Sequence, residues 1–73
     1  RMEQKRIWNI IHESDDENGN PTCWAIQAGR KKFFWIEVNP NGLYDVIDSD
    51  AETLLKTCQS LRSAKRWVSM NLL

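Results

Sequence analysis

The chain has 73 residues, no net charge at neutral pH and 41% hydrophobic residues. This length limits it to one domain, residues 1–73, and the balanced composition excludes a fibrous or disordered chain. No apolar run reaches the roughly 18 residues of a membrane-spanning helix, and Cys23 and Cys58 are too few for a disulfide scaffold. We therefore expect a soluble, cytoplasmic protein. Arg1 precedes Met2 and is expected to be foreign to the natural chain.

Strand-like segments separated by turn residues fill the first two thirds of the chain. Residues 5–13 (KRIWNIIHE) predict a first strand that ends at the turn-rich SDDENGNP. The segments TCWAIQA and KFFWIEV flank Gly29-Arg30 and predict a hairpin, because Gly at the first position of a two-residue connection is typical of a type II′ turn. NPNG then predicts a type I turn before a fourth strand, LYDVID. The sequence therefore predicts an antiparallel meander of three or four strands.

The rest of the chain has a helical pattern. Ser49 and Glu52 have the spacing of a capping box, and Ser60 is a second candidate N-cap. Apolar residues follow Ser49 at helical spacing: Ala51, Leu54, Leu55, Cys58 and Leu61. Residues 50–72 are thus predicted to form one bent helix or two short ones. The expected fold class is α+β, a three- to four-stranded antiparallel meander followed by and packed against this C-terminal helix.

Both faces of the predicted sheet are apolar. A two-residue connection at Gly29-Arg30 places Trp24 opposite Trp35, and Ile26 opposite Phe33, on one face. The other face then carries Cys23, Ala25, Phe34, Ile36 and Val38. One helix covers one face, so the second is covered by another helix, a second copy of the chain or a partner, or is exposed.

This pattern predicts a non-catalytic binding or assembly module that uses an aromatic sheet face. The expected contact residues are Trp24, Phe33 and Trp35, with steering charges from Arg30, Lys31 and Lys32. A protein partner or a homodimer is the favoured occupant. In the alternative, DNA or RNA binds, with the hairpin cations on phosphates and a tryptophan stacked on bases.

A secondary basic patch is predicted near the end of the chain. It consists of Arg62, Lys65 and Arg66, and it could meet an acidic partner or a phosphate backbone. Cations late in a helix also interact favourably with its dipole, which explains them without a ligand. Two acidic clusters, one in residues 13–17 and one in residues 45–52, would repel phosphates.

The order of strands followed by SLRSAKRWV loosely resembles the small three-strand-plus-helix DNA-binding domains at the amino ends of phage and transposon integrases. Ala64 and Trp67 carry the match, which covers about half of the chain. In those domains the sheet reads DNA, so the resemblance implies the nucleic-acid alternative. The two acidic clusters depart from that pattern, and the chain is not assigned to the family.

Few residues are suited to catalysis or metal binding. His12 and Cys23 fall at the loop end of two paired strands, so a Cys-His pair is the one enzymatic hypothesis that the sequence allows. DSDAE and DDENGN resemble the start of calcium loops, but Thr53 occupies the position that requires Gly, and Pro21 interrupts the second. The sequence therefore predicts no enzyme activity, no metal site and no small-molecule cofactor.

Overall fold

The computed structural model describes residues 7–73 and shows a five-stranded antiparallel sheet followed by an α-helix. The strands are β1 (Asn9–Ile10), β2 (Cys23–Gln27), β3 (Phe33–Val38), β4 (Tyr44–Asp48) and β5 (Thr53–Cys58), and the helix α1 is Leu61–Asn71. The strands lie in chain order, so the predicted α+β meander is confirmed, with five strands instead of three or four. Arg1 and the first two residues of the predicted first strand lie outside the described residues. The described part of that prediction is wrong in its length, because only Asn9–Ile10 form a strand and His12–Ser14 form a short 3-10 helix.

The prediction of a helix from residue 50 is wrong, because residues 53–58 form β5. The turn before β5 is built by Asp48, whose Oδ1 accepts hydrogen bonds from the backbone N–H groups of Asp50 (3.0 Å) and Ala51 (3.4 Å). Glu52 then adopts a positive φ of 53°, which reverses the chain into a hairpin. The Ser49–Glu52 spacing therefore marks a turn between strands and not the start of a helix.

The helical spacing of the apolar residues in this segment has a separate cause, a β-bulge. Ile47 pairs with Leu54 and Val46 with Lys56, so Leu55 is the extra residue between them. A bulge shifts the alternation of a strand by one position. Leu55 and Cys58 can therefore both pack against the core although they are three residues apart.

The β2–β3 hairpin is one residue longer at its tip than predicted. Its closing pair is Ala28 and Lys32, with the Ala28 N–H donating to the Lys32 carbonyl at 2.8 Å, and Gly29 lacks the positive φ of a type II′ turn. The Gln27 side chain stabilises this three-residue tip, since its Nε2 donates to the carbonyls of Gly29 (2.8 Å) and Arg30 (3.1 Å). The added residue moves the register by one.

The core lies between one face of the sheet and α1. Its fully or largely buried side chains are Trp24, Ile26, Phe34, Ile36, Val46 and Cys58 from the sheet, with Ala64 and Val68 from α1. The helix begins at Leu61 because Ser60 caps it, its Oγ accepting a hydrogen bond from the Ser63 N–H at 3.0 Å. The predicted N-cap at Ser60 is thus confirmed.

The antiparallel order groups the connections at two ends of the sheet. The β1–β2 loop (residues 11–22) and the β3–β4 turn lie at one end, together with the start of α1. The β3–β4 turn is the predicted one, with the Gly42 N–H donating to the Asn39 carbonyl at 2.9 Å. The β2–β3 tip and the β4–β5 turn lie at the opposite end. No helix among residues 7–73 is long and apolar enough to cross a membrane.

Candidate interaction surface

The face of the sheet opposite α1, here called the open face, has no helix or strand over it among residues 7–73. Side chains alternate along each strand, so the register arranges this face as three rows that run across the strands. The middle row contains Asn9, Ala25, Trp35, Ile47 and Leu54, and it is apolar apart from Asn9 at its edge. The lower row contains Cys23, Glu37, Asp45 and Thr57, and the upper row contains Gln27 and Phe33.

Large apolar side chains of the open face contact solvent. Phe33 is 38% exposed and Leu54 is 57% exposed, while Trp35 and Ile47 between them are half-buried. A contiguous apolar patch of this kind on a small protein is typical of an interaction site, whereas scattered single residues are not. Two of the predicted contact residues, Phe33 and Trp35, therefore belong to one surface.

The third predicted contact residue, Trp24, lies on the opposite face. It pairs with Ile36, is 8% exposed and packs in the core, with its ring centroid 6.1 Å from that of Tyr44. The prediction that Trp24 shares a face with Phe33 and Trp35 is wrong, because it depended on a two-residue hairpin tip. The residues that take its place on the open face are Ile47 and Leu54.

Ile47 and Leu54 were not among the predicted contact residues. The alternation in β4 carried a signal for Ile47, since it follows Val46 and must point to the other face. No comparable pattern indicated that Leu54 lies on the open face, because its segment was interpreted as a helix and not as a strand with a bulge.

The lower row is acidic. The Asp45 carboxylate is fixed at this position, since its Oδ1 accepts hydrogen bonds from Thr57 Oγ1 (2.7 Å) and Asn39 Nδ2 (3.1 Å). Glu37 is the neighbour of Asp45 in the row. The β1–β2 loop adds four acidic residues at the same end of the sheet: Glu13, Asp15, Asp16 and Glu17. Hydrogen bonds from the backbone N–H groups of Asn20 and Asn18 lower the pKa of Asp16.

The three predicted cations at the β2–β3 tip are in different environments. Lys32 is held by the adjacent turn, with its Nζ 2.6 Å from Asp48 Oδ2 and 3.4 Å from Asp50 Oδ2. The hydrogen bond to Asp48 raises the pKa of Lys32 and lowers the pKa of Asp48. Arg30 and Lys31 are exposed, and no ion pair is formed by either with residues 7–73.

The secondary basic patch lies on α1, away from the open face. Arg62 and Arg66 are exposed, whereas Lys65 is half-buried with its Nζ 5.9 Å from the ring centroid of Trp8. This distance is that of a cation–π contact, which ties the helix to the start of β1. Lys65 therefore has a structural role that the exposed arginines lack.

The thiol of Cys23 is not activated. The side chain is 4% exposed, and burial together with the charge of Glu37 raises its pKa to about 11. A nucleophilic cysteine needs the opposite shift, toward the thiolate. His12 follows Ile11, whose backbone N–H donates a hydrogen bond to the Cys23 carbonyl at 2.9 Å, but the ring Nδ1 of His12 is 3.2 Å from Asp15 Oδ2. His12 is also absent from the lining of the shallow depression beside Cys23, which is formed by Ser14, Thr22, Glu37 and Val38.

The described part of the chain brings no three His, Cys, Asp or Glu side chains close enough together to hold a metal ion. The acidic stretches that resemble calcium loops instead build turns, through the side chains of Asp16 and Asp48. The chain matches no model of a known protein family, no curated protein sequence and no solved structure.

Proposed function

We propose that this protein is a non-catalytic binding or assembly module that contacts another protein through the open face. The observation that carries the proposal is the asymmetry of the sheet. One face is covered by α1, while the other keeps Phe33 and Leu54 exposed beside half-buried Trp35 and Ile47. A flat apolar centre with a charged rim is the usual anatomy of a protein interface.

The nucleic-acid alternative has less support. One of the three tip cations, Lys32, is engaged by Asp48 and Asp50, and the lower row places Glu37 and Asp45 on the surface where phosphates would lie. Trp24 is in the core and cannot stack on bases, which leaves the half-buried Trp35 as the one tryptophan of the open face that could. Like charges on this face oppose an anionic ligand.

Photo-crosslinking tests the proposal. Phe33 is replaced by p-benzoylphenylalanine, which has a similar shape, and the protein is irradiated in an extract of its natural host. We expect covalent protein adducts from position 33. The matched control carries the same residue at position 70, since Met70 is 70% exposed but lies on α1. Absence of adducts at position 33, or equal adducts at both positions, would contradict the proposal.

A further inference from the structure

Residues 16–20 of the β1–β2 loop form a turn around an Asn-Gly sequence, here called the loop turn. Gly19 has a φ of 81°, and its N–H donates to the Asp16 carbonyl at 2.9 Å. The side chain of Asp16 holds the same turn, since its Oδ1 accepts from the N–H groups of Asn18 (2.9 Å) and Asn20 (2.8 Å). All five residues of the loop turn are exposed.

The β3–β4 turn, residues 39–43, repeats this arrangement around the second Asn-Gly sequence of the chain. Gly42 has a φ of 79°, and its N–H donates to the Asn39 carbonyl at 2.9 Å. Asn39 Oδ1 accepts from the N–H groups of Asn41 (2.9 Å) and Leu43 (3.0 Å). The two turns therefore have the same local structure and differ in what surrounds them.

An asparagine that precedes a glycine is prone to lose its side-chain amide, because glycine has no side chain to hinder attack by its backbone nitrogen. In the loop turn, the Gly19 nitrogen would lose its proton and attack Cγ of Asn18. The new C–N bond closes an imide ring, and the side-chain nitrogen leaves as ammonia. Water then opens the ring at either carbonyl and leaves aspartate or isoaspartate. The glycine N–H is bonded in both turns, so the reaction requires each turn to open first.

The surroundings of the two turns make them differ in how readily they open. The β3–β4 turn joins two central strands of the sheet, with Val38 paired to Tyr44 directly beside it. The Asn39 N–H also donates to the Leu43 carbonyl at 2.8 Å, so opening this turn begins to separate β3 from β4. The loop turn lies within the β1–β2 loop and adjoins no strand, so it can open without breaking any strand pairing.

We propose that Asn18 is a site of spontaneous deamidation in the folded protein, and that the sheet protects Asn41 although its turn is the same. The product places a further carboxylate beside Asp16 and Glu17, at the acidic end of the sheet. The formal net charge of the chain therefore falls by one unit from zero as the protein ages. This inference is independent of the proposed function, because the loop turn does not belong to the open face.

Peptide mass spectrometry during incubation at pH 8 and 37 °C tests the inference. Trypsin separates the two asparagines onto the peptides 7–30 and 33–56, and fragmentation of each peptide locates the change of NH₂ to OH. In the folded protein, we expect Asn18 to convert faster than Asn41 by about tenfold or more. In guanidinium chloride neither turn exists, so the two rates should agree within about threefold. The unfolded chain thus separates the effect of the structure from that of the flanking residues.

Two substitutions at Asp16 separate opening of the turn from the effect of its charge. Asp16→Ala removes the oxygen that accepts from two N–H groups, so it should accelerate the conversion of Asn18 severalfold and leave that of Asn41 unchanged. Asp16→Asn also removes the charge but keeps an accepting oxygen, as at Asn39, and should leave both rates close to those of the unmodified protein.

Four results would overturn the inference. In the folded protein these are conversion of Asn41 at the rate of Asn18 or above it, and no conversion of Asn18 while the unfolded chain converts. The third is a difference between the two asparagines that persists in guanidinium chloride, which would assign it to the flanking residues. The fourth is a rate at Asn18 that Asp16→Ala does not raise above that of Asp16→Asn.

Discussion

At the scale of single residues, two adjacent phenylalanines show how the register divides the sheet. Phe34 pairs with Ile26, is buried and packs in the core. Phe33 pairs with Gln27 and is 38% exposed on the open face. The two residues have identical side chains and are neighbours in the chain, so their difference in burial comes from side-chain alternation alone.

Alanine substitutions at these two positions should therefore have unequal costs. Phe34→Ala removes a buried ring and is expected to lower the free energy of unfolding by about 3–5 kcal/mol. Phe33→Ala, on a partly solvated face, is expected to cost about 1 kcal/mol or less. Urea unfolding at low protein concentration measures both. If Phe34→Ala does not fold, the pair Phe34→Leu and Phe33→Leu gives the same comparison at smaller loss. Equal losses would mean that the register is wrong.

The apolar residues of β2 and β3 are predictable from the sequence, but their division between the two faces of the sheet is not. The alternation in β2 and β3 predicts two apolar faces whatever the register. Which face contains Trp24 depends on whether the tip has two residues or three. The three-residue tip is stabilised by hydrogen bonds from the Gln27 side chain to the tip carbonyls, which a turn signature based on Gly29 does not include. A difference of one residue in the length of the tip therefore changes which residues form the candidate site.

At the scale of secondary-structure elements, β5 is where local pattern and fold disagree. The apolar spacing of residues 51–61 fits a helix, but the β-bulge at Leu55 produces the same spacing in a strand. The turn before β5 depends on the Asp48 side chain, which accepts from two backbone N–H groups. By contrast, α1 was predictable, because the Ser60 cap and the buried positions of Ala64 and Val68 are local features.

Glycine substitutions in this turn distinguish the two interpretations by their sign. Glu52 has a φ of 53°, a conformation that costs a non-glycine residue about 1 kcal/mol, so Glu52→Gly is expected to raise the free energy of unfolding by about 0.5–1 kcal/mol. Ala51→Gly has no such strain to relieve and should lower it by about 0.5–1 kcal/mol. In a helix both substitutions would be destabilising, by about 1 kcal/mol each. Thermal unfolding checks this, and a loss for both variants would support the helical interpretation.

At the scale of the whole molecule, the zero net charge conceals two different ends. One end of the sheet is acidic, with Glu37, Asp45 and the β1–β2 loop. At the other end, Lys32 joins the β2–β3 tip to the β4–β5 turn through Asp48 and Asp50. The sequence showed these charges as clusters, but only the antiparallel order of the strands brings Lys32 and Asp48, sixteen positions apart, into contact.

The Lys32–Asp48 contact predicts how the stability of the molecule depends on pH. The pKa of Asp48 is lower in the folded state than its usual 3.8, so its contribution is present above that value and is lost as pH falls through the lowered pKa. The pKa of Lys32 is raised above 10.5, so its contribution is present below that value and is lost as pH rises through the raised pKa. Cys23 adds a further alkaline contribution, because its pKa is raised from 9.0 to about 11 and the stability it provides is lost as pH rises between these values. The stability should be nearly level between pH 3.8 and 9.0 and fall on both sides.

A single substitution should reduce both slopes, because the two pKa shifts have one main cause. Asp48→Asn removes the carboxylate that lowers its own pKa and also removes the largest contribution to the raised pKa of Lys32. Urea unfolding from pH 2.5 to 11 should therefore show a smaller acid loss and a smaller alkaline loss than in the unmodified protein. An acid slope remains, since Asp16 has a lowered pKa as well, and an alkaline slope remains, since the pKa of Cys23 is raised to about 11. Glu17→Gln, at an exposed loop position, is the control and should leave both slopes unchanged. If Asp48→Asn reduces only the acid slope, the raised pKa of Lys32 comes mainly from Asp50 or another group, and Asp48 is not its main partner in solution.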